Sequence, residues 1–254
     1  MAPSRNTNVG AKRAREARAE LGLSGTDPLP CVLTVVEHEA QVPVAIVRMR
    51  DGVAGYCRRK GERAILWVNG TDGAVRQRFT LAHEFGHLRC GHDGSLPPET
   101  FETLSGKTTT DVEIQANAFA AEFLAPAATV REMAPADPNL DDVVRIAARF
   151  GISSIAALYR LNTLELAPRY EILRQEIEAG HDSDVAGRLA LAGPDDVIGA
   201  LSARDLPRLS PALRDSALAS GLDGRASVDD VAGAAGCDPG ALSRGLRAIA
   251  PPRA

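Results

Sequence analysis

Residues 82–92 read AHEFGHLRCGH, and the placement of His83, Glu84 and His87 constrains the fold more than any other part of the chain. On an α-helix each residue turns by about 100°, so side chains at i and i+4 share a face one turn apart. Two imidazoles so placed can converge on a single ion, with Glu84 beside that ion rather than on it. A carboxylate there can take a proton from a water and hand it to a leaving amine. Zinc suits two neutral imidazoles and a carboxylate, because its tetrahedral preference leaves the fourth position open. The reading requires a helix over the motif and a second element that returns a third ligand.

The flanking sequence supplies both. Val75, Phe79, Ala82 and Gly86 recur at helical spacing, Asp72 stands ready as an N-cap, and Gly91 ends the helix. Upstream, VPVAIVRM (42–49), GVAGYCRR (52–59) and RAILWVNG (63–70) are short apolar runs separated by Asp-Gly and Lys-Gly, the pattern of a small meandering sheet. Residues 10–23 read as a first amphipathic helix, whereas Leu33–His38 fits either a helix end or a strand. Residues 91–110 have the Gly, Pro, Ser and Thr content of an irregular loop. DVEIQANAFAAEFL (111–124) then forms a second helix that stops before Ala125-Pro126.

Several residues compete for the third ligand position. His92 is nearest, but the three-histidine pattern HExxHxxGxxH needs Gly at 90 and His at 93, where this chain has Cys90 and Asp93. Glu113, near the start of the second helix, is placed to return to the motif, and Ala116, Ala120 and Ala121 let the two helices approach closely. Its structural competitor is a capping box, Thr110-Asp111-Val112-Glu113, in which Glu113 would bond back to the cap. Glu122, Glu99 and Glu102 are further candidates. Asn117 falls one turn after Glu113 and can hydrogen-bond the second ring nitrogen of a ligating histidine, the alternative being an exposed helix Asn.

The expected fold class is α+β: a small sheet and the motif helix in residues 1–130, a helix-turn-helix-like segment in 131–170, and an all-helical extension in 171–254. Residues 141–161 have the helix, Gly turn and helix outline, and 227–246 repeats it faintly. That outline raises a rival reading, a helical DNA-binding or antitoxin-like regulator with an inert motif. Charge argues against DNA: the formal net charge is −4, and beyond residue 170 Asp and Glu outnumber Arg. Cys31, Cys57, Cys90 and Cys237 form no CxxC pair, so free thiols are expected. The N-terminus lacks the apolar core of a signal peptide and no run reaches transmembrane length, which makes the cytoplasm the default compartment.

With both blocks in view, RQRFTLAHEFGH (76–87) followed by EIQANAFAAEFLAP (113–126) resembles the ImmA/IrrE family of zinc metallopeptidases, over about residues 10–165 at falling strength. The resemblance implies a zincin-like peptidase core in which His83, His87 and Glu113 bind Zn2+ and Glu84 is the general base. It also implies a protein substrate, a helix-turn-helix repressor whose cleavage relieves genes for stress response or mobile-element transfer. A peptide reaches such a site in extended form. The strand before the motif helix is expected to offer its edge, with Arg63, Ile65, Trp67 and Asn69 as the substrate-binding residues, unless that strand is a fully paired interior one.

Overall fold

The computed structural model describes residues 4–29, 31–49, 52–60, 63–92, 99–100, 110–189, 191 and 208–209. Helix α1 (Arg5–Glu20) starts at Ser4, whose side chain accepts from the Thr7 amide, and buries Gly10, Ala14 and Ala17. Leu33–His38, open to two readings from sequence, is helical: α2 (Val32–Thr34) runs into a π-helical turn at Val35–Glu39.

Three strands make the sheet: β1 (Val44–Val47), β2 (Val53–Lys60) and β3 (Arg63–Asn69). Two-residue strands flank them, β4 (Glu99–Thr100) beside β2 and β5 (Arg208–Leu209) beside β1, giving the order β4-β2-β3-β1-β5. This is not the expected meander. β3 lies between β2, to which it is antiparallel, and β1, to which it is parallel. The cause is visible in its burial: Leu66, Trp67 and Val68 are exposed by only 0, 5 and 1%, so both faces of β3 are covered, as a central strand requires.

The sheet packs against α3 (Ala74–Cys90), which carries the motif, and α4 (Asp111–Leu124) lies across α3. Gly73, not Asp72, occupies the N-cap of α3; Asp72 pairs with Arg76 at 3.6 Å, and the Gln77 side chain donates to the carbonyls of Gly70 and Asp72. Gly91 closes α3 with φ of 73°. Phe85 of α3 meets Phe119 and Phe123 of α4 at ring-centroid distances of 5.7 and 5.6 Å.

Beyond α4 come α5 (Ala127–Met133), α6 (Leu140–Phe150), α7 (Ser154–Thr163), α8 (Tyr170–Glu178) and α9 (His181–Arg188). The 141–161 outline is the α6–α7 pair, turning at Gly151 with φ of 61°. Val143, Ile146, Phe150, Leu158 and Leu161 are buried in the same hydrophobic cluster as Phe85 and Phe119. Arg160 of α7 reaches back to α4, where it pairs with Glu122 and donates to the Ala125 carbonyl at 2.9 Å. The expectation of an all-helical extension meets an exception at β5, whose backbone pairs with Ala45 and Ile46. The faint repeat at 227–246 lies outside the described residues.

Candidate metal centre

α3 sets His83 and His87 one turn apart, and α4 brings Glu113 to them. Nε2 of His83 and Nε2 of His87 are 2.9 Å apart, and Oε2 of Glu113 lies 3.2 Å from the first and 3.5 Å from the second. All three residues are buried. Among the described residues they form a group of metal-ligating side chains able to hold an ion. A tetrahedral site with bonds of roughly 2.0–2.1 Å separates its ligand atoms by about 3.3 Å, so the triangle fits one.

The proton inventory also fits. Nδ1–H of His83 donates to Oδ1 of Asn117 at 2.9 Å, which leaves Nε2 as a lone pair turned toward the other two atoms. Oε2 of Glu113 is buried with no hydrogen-bond donor aligned on it. The His83 lone pair and the Glu113 carboxylate oxygen thus converge with Nε2 of His87 on one point, where a cation would offset the crowding of electron-rich atoms.

Burial pushes the His87 pKa down, only partly offset by Glu113, so the ring is neutral as a metal ligand must be. Burial opposes charge on Glu113, but the adjacent His83 and His87 rings outweigh it and hold the carboxyl well below the usual range. A proton entering the cluster therefore resides on a ring nitrogen, where it competes with a metal.

Thr110 is the N-cap residue of α4 but its side chain does not cap, and Glu113 turns to the histidines instead of closing a capping box. Glu122 is taken up by Arg160 and by Arg15 at 3.4 Å. The side chain of Glu99 and all of Glu102 lie outside what is described. Nδ1 of His92 sits 2.8 Å from Nδ1 of His87, on the side of the ring away from the convergent atoms.

Glu84 is fully buried beside its histidine neighbours. Strand β2 comes up against it at Gly55, where a Cβ would stand 3.1 Å from the Glu84 carboxylate and 2.6 Å from both Thr80 Cγ2 and the Trp67 carbonyl. Cys57, two residues along β2, has its pKa pushed up to about 12 by burial and then by Glu84, so it remains a thiol and no thiolate ligand.

The edge role expected for Trp67 and Asn69 does not survive. From Leu66 to Val68, β3 is paired on both sides, so that stretch cannot accept a peptide strand, whereas among the described residues Arg63–Ile65 pair with β2 only. Trp67 is buried and stacks on Tyr56, with ring centroids 5.8 Å apart. Asn69 holds local turns together: its Nδ2 donates to Val53 O at 2.7 Å and its Oδ1 accepts from the amides of Met49 and Thr71. Ile65 is half-buried, and the Arg63 side chain is outside what is described. Gly55 was not legible as a site residue, because a glycine in a strand signals only a close approach to something.

The family model of the IrrE N-terminal-like domain matches residues 41–162. Over those residues the chain is similar to the ImmA/IrrE family. The ImmA/IrrE match takes in His83, Glu84, His87, Glu113 and Asn117, and it leaves out α1 and everything after residue 162. The radiation response metalloprotease IrrE of Deinococcus radiodurans is 32% identical over 102 residues, 39% of this chain. The aligned stretch spans 31% of that protein's length. No helix of the described residues is long and apolar enough to cross a membrane.

Proposed function

We propose that this chain is a zinc-dependent endopeptidase of the cytoplasm that cuts a helix-turn-helix repressor and so relieves repression. The observation that carries the reading is the meeting of two imidazole nitrogens and a carboxylate oxygen at 2.9–3.5 Å, beside a fully buried Glu84. Zinc held by His83, His87 and Glu113 would supply a Lewis acid that polarises a peptide carbonyl and lowers the pKa of water. Glu84 is the proton carrier, taking a proton from the attacking water and returning it to the leaving amine. Asn117 keeps the His83 ring in the tautomer whose Nε2 is free to ligate.

The repressor substrate rests on the family resemblance, and the name of the Deinococcus relative, a radiation response metalloprotease, agrees with a stress-linked target. The test incubates zinc-loaded protein with the repressor encoded nearest to it, beside a Glu84→Gln control. Cleavage at one site by the wild type alone supports the proposal. An intact repressor together with cleavage of an unrelated unfolded protein replaces it with a general peptidase, and no cleavage of either contradicts the enzyme reading.

A further inference from the structure

A line of hydrogen bonds leaves the metal centre through His87 and ends at the surface. After Gly91 turns the chain, the His92 amide donates to the His87 carbonyl at 3.1 Å, a Schellman-type closure that folds the His92 ring against the His87 ring. Nδ1 of His92 then faces Nδ1 of His87 at 2.8 Å, and its Nε2 faces Oε1 of Gln115 at 3.2 Å. Gln115 donates from Nε2 to Oδ1 of Asn6 at 3.0 Å, and Asn6 donates from Nδ2 to Oδ1 of Asp111 at 2.7 Å.

The proton directions follow from the far end. Oδ1 of Asp111 accepts from Nδ2 of Asn6, so Asn6 turns its amide nitrogen to Asp111 and its oxygen to Gln115. Gln115 must then donate to Asn6 and offer its oxygen to His92. His92 donates through Nε2–H, which in a neutral ring leaves Nδ1 as an acceptor. His87 has to donate from Nδ1, and its Nε2 becomes a lone pair directed at His83 and Glu113. One carboxylate on the first turn of α4 thereby fixes, by way of α1, the tautomer of a ring on the facing helix α3.

We propose that His92, Gln115 and Asn6, polarised by Asp111, are positioning residues that hold His87 in its metal-ligating tautomer and make α1 part of the metal centre. α1 is pressed onto α4 at this level: a Cβ on Gly10 would stand 2.1 Å from the Gln115 carbonyl oxygen, so only glycine permits the approach. Asn6 lies outside the 41–162 family match. The inference rests on the metal reading of His83, His87 and Glu113.

The test is zinc affinity, by competition with a chelator, and the visible spectrum of the cobalt-loaded protein, with thermal unfolding of the metal-free form as the control for folding. His92→Leu is expected to weaken zinc binding roughly 10- to 100-fold. His92→Gln, which keeps an acceptor toward His87 and a donor toward Gln115, should recover most of the loss. Asn6→Ala, on the first turn of α1, should weaken binding by a smaller factor, on the order of 3-fold. Zinc affinity within about 2-fold of wild type in His92→Leu, with unaltered unfolding, overturns the proposal while sparing the metal site. If His92→Leu does not fold, Asn6→Ala decides alone, and unchanged affinity overturns the proposal. Wild-type protein that takes up neither zinc nor cobalt removes the metal reading itself, and the relay with it.

Discussion

Nδ1 of His83 lies 2.9 Å from Oδ1 of Asn117 on the facing helix, so the ring that would ligate a metal is held from behind by an amide oxygen. Asn117→Ala should weaken zinc binding roughly 10- to 100-fold, the usual effect of losing a partner of a ligating histidine. Asn117→Asp keeps an acceptor and should retain most of the affinity. Unchanged affinity in the alanine variant, measured by chelator competition, would reduce Asn117 to a packing residue.

Glu122 and Arg160 form a buried ion pair between α4 and α7, 3 and 5% exposed. Breaking such a pair strands a charge, and Glu122→Gln should lower the unfolding free energy by about 3–5 kcal/mol in urea. Its zinc content should match the wild type, since Glu122 faces α1 and α7 rather than the histidines. Loss of zinc from folded Glu122→Gln would instead revive it as a ligand.

The metal-free protein should lose stability as the pH falls below about 6.5, the ordinary histidine value. Burial depresses the pKa of both His87 and His92. Above their unfolded-state value neither state binds the proton; below it the unfolded chain takes protons that the folded rings refuse, so stability rises with pH through this window. Melting temperatures in chelator from pH 5.5 to 8 should climb and then level. A flat or falling curve would show that the rings are not held neutral.

Gly55→Ala forces a Cβ to 2.6 Å from the Trp67 carbonyl and 3.1 Å from the Glu84 carboxylate. Overpacking of this kind destabilises by about 1–3 kcal/mol, and the displaced neighbour here is Glu84, the proton carrier we propose. Turnover should fall while zinc stays bound. Full activity would mean that β2 yields without moving Glu84.

The HExxH helix was readable because helical spacing alone juxtaposes His83 and His87, and Gly91 and Pro126 mark the ends of α3 and α4 locally. Glu113 was readable as a ligand candidate but not separable from a capping box, since both uses fit the same offset from Thr110; only the position of α4 across α3 distinguishes them. Trp67 and Asn69 were misassigned to an edge because an apolar strand reads the same whether or not both neighbours are present. His92 was weighed only as a ligand. Its role behind His87 depends on the turn at Gly91 and on side chains from α1 and α4, which are distant in sequence.

Zinc content of protein purified without added metal tests the central claim most directly. About one zinc per chain is expected in the wild type and in Glu84→Gln, which keeps all three ligands, whereas Glu113→Gln should lose nearly all of it. Full zinc occupancy in Glu113→Gln, or a folded wild type that carries and accepts no zinc, would contradict the account.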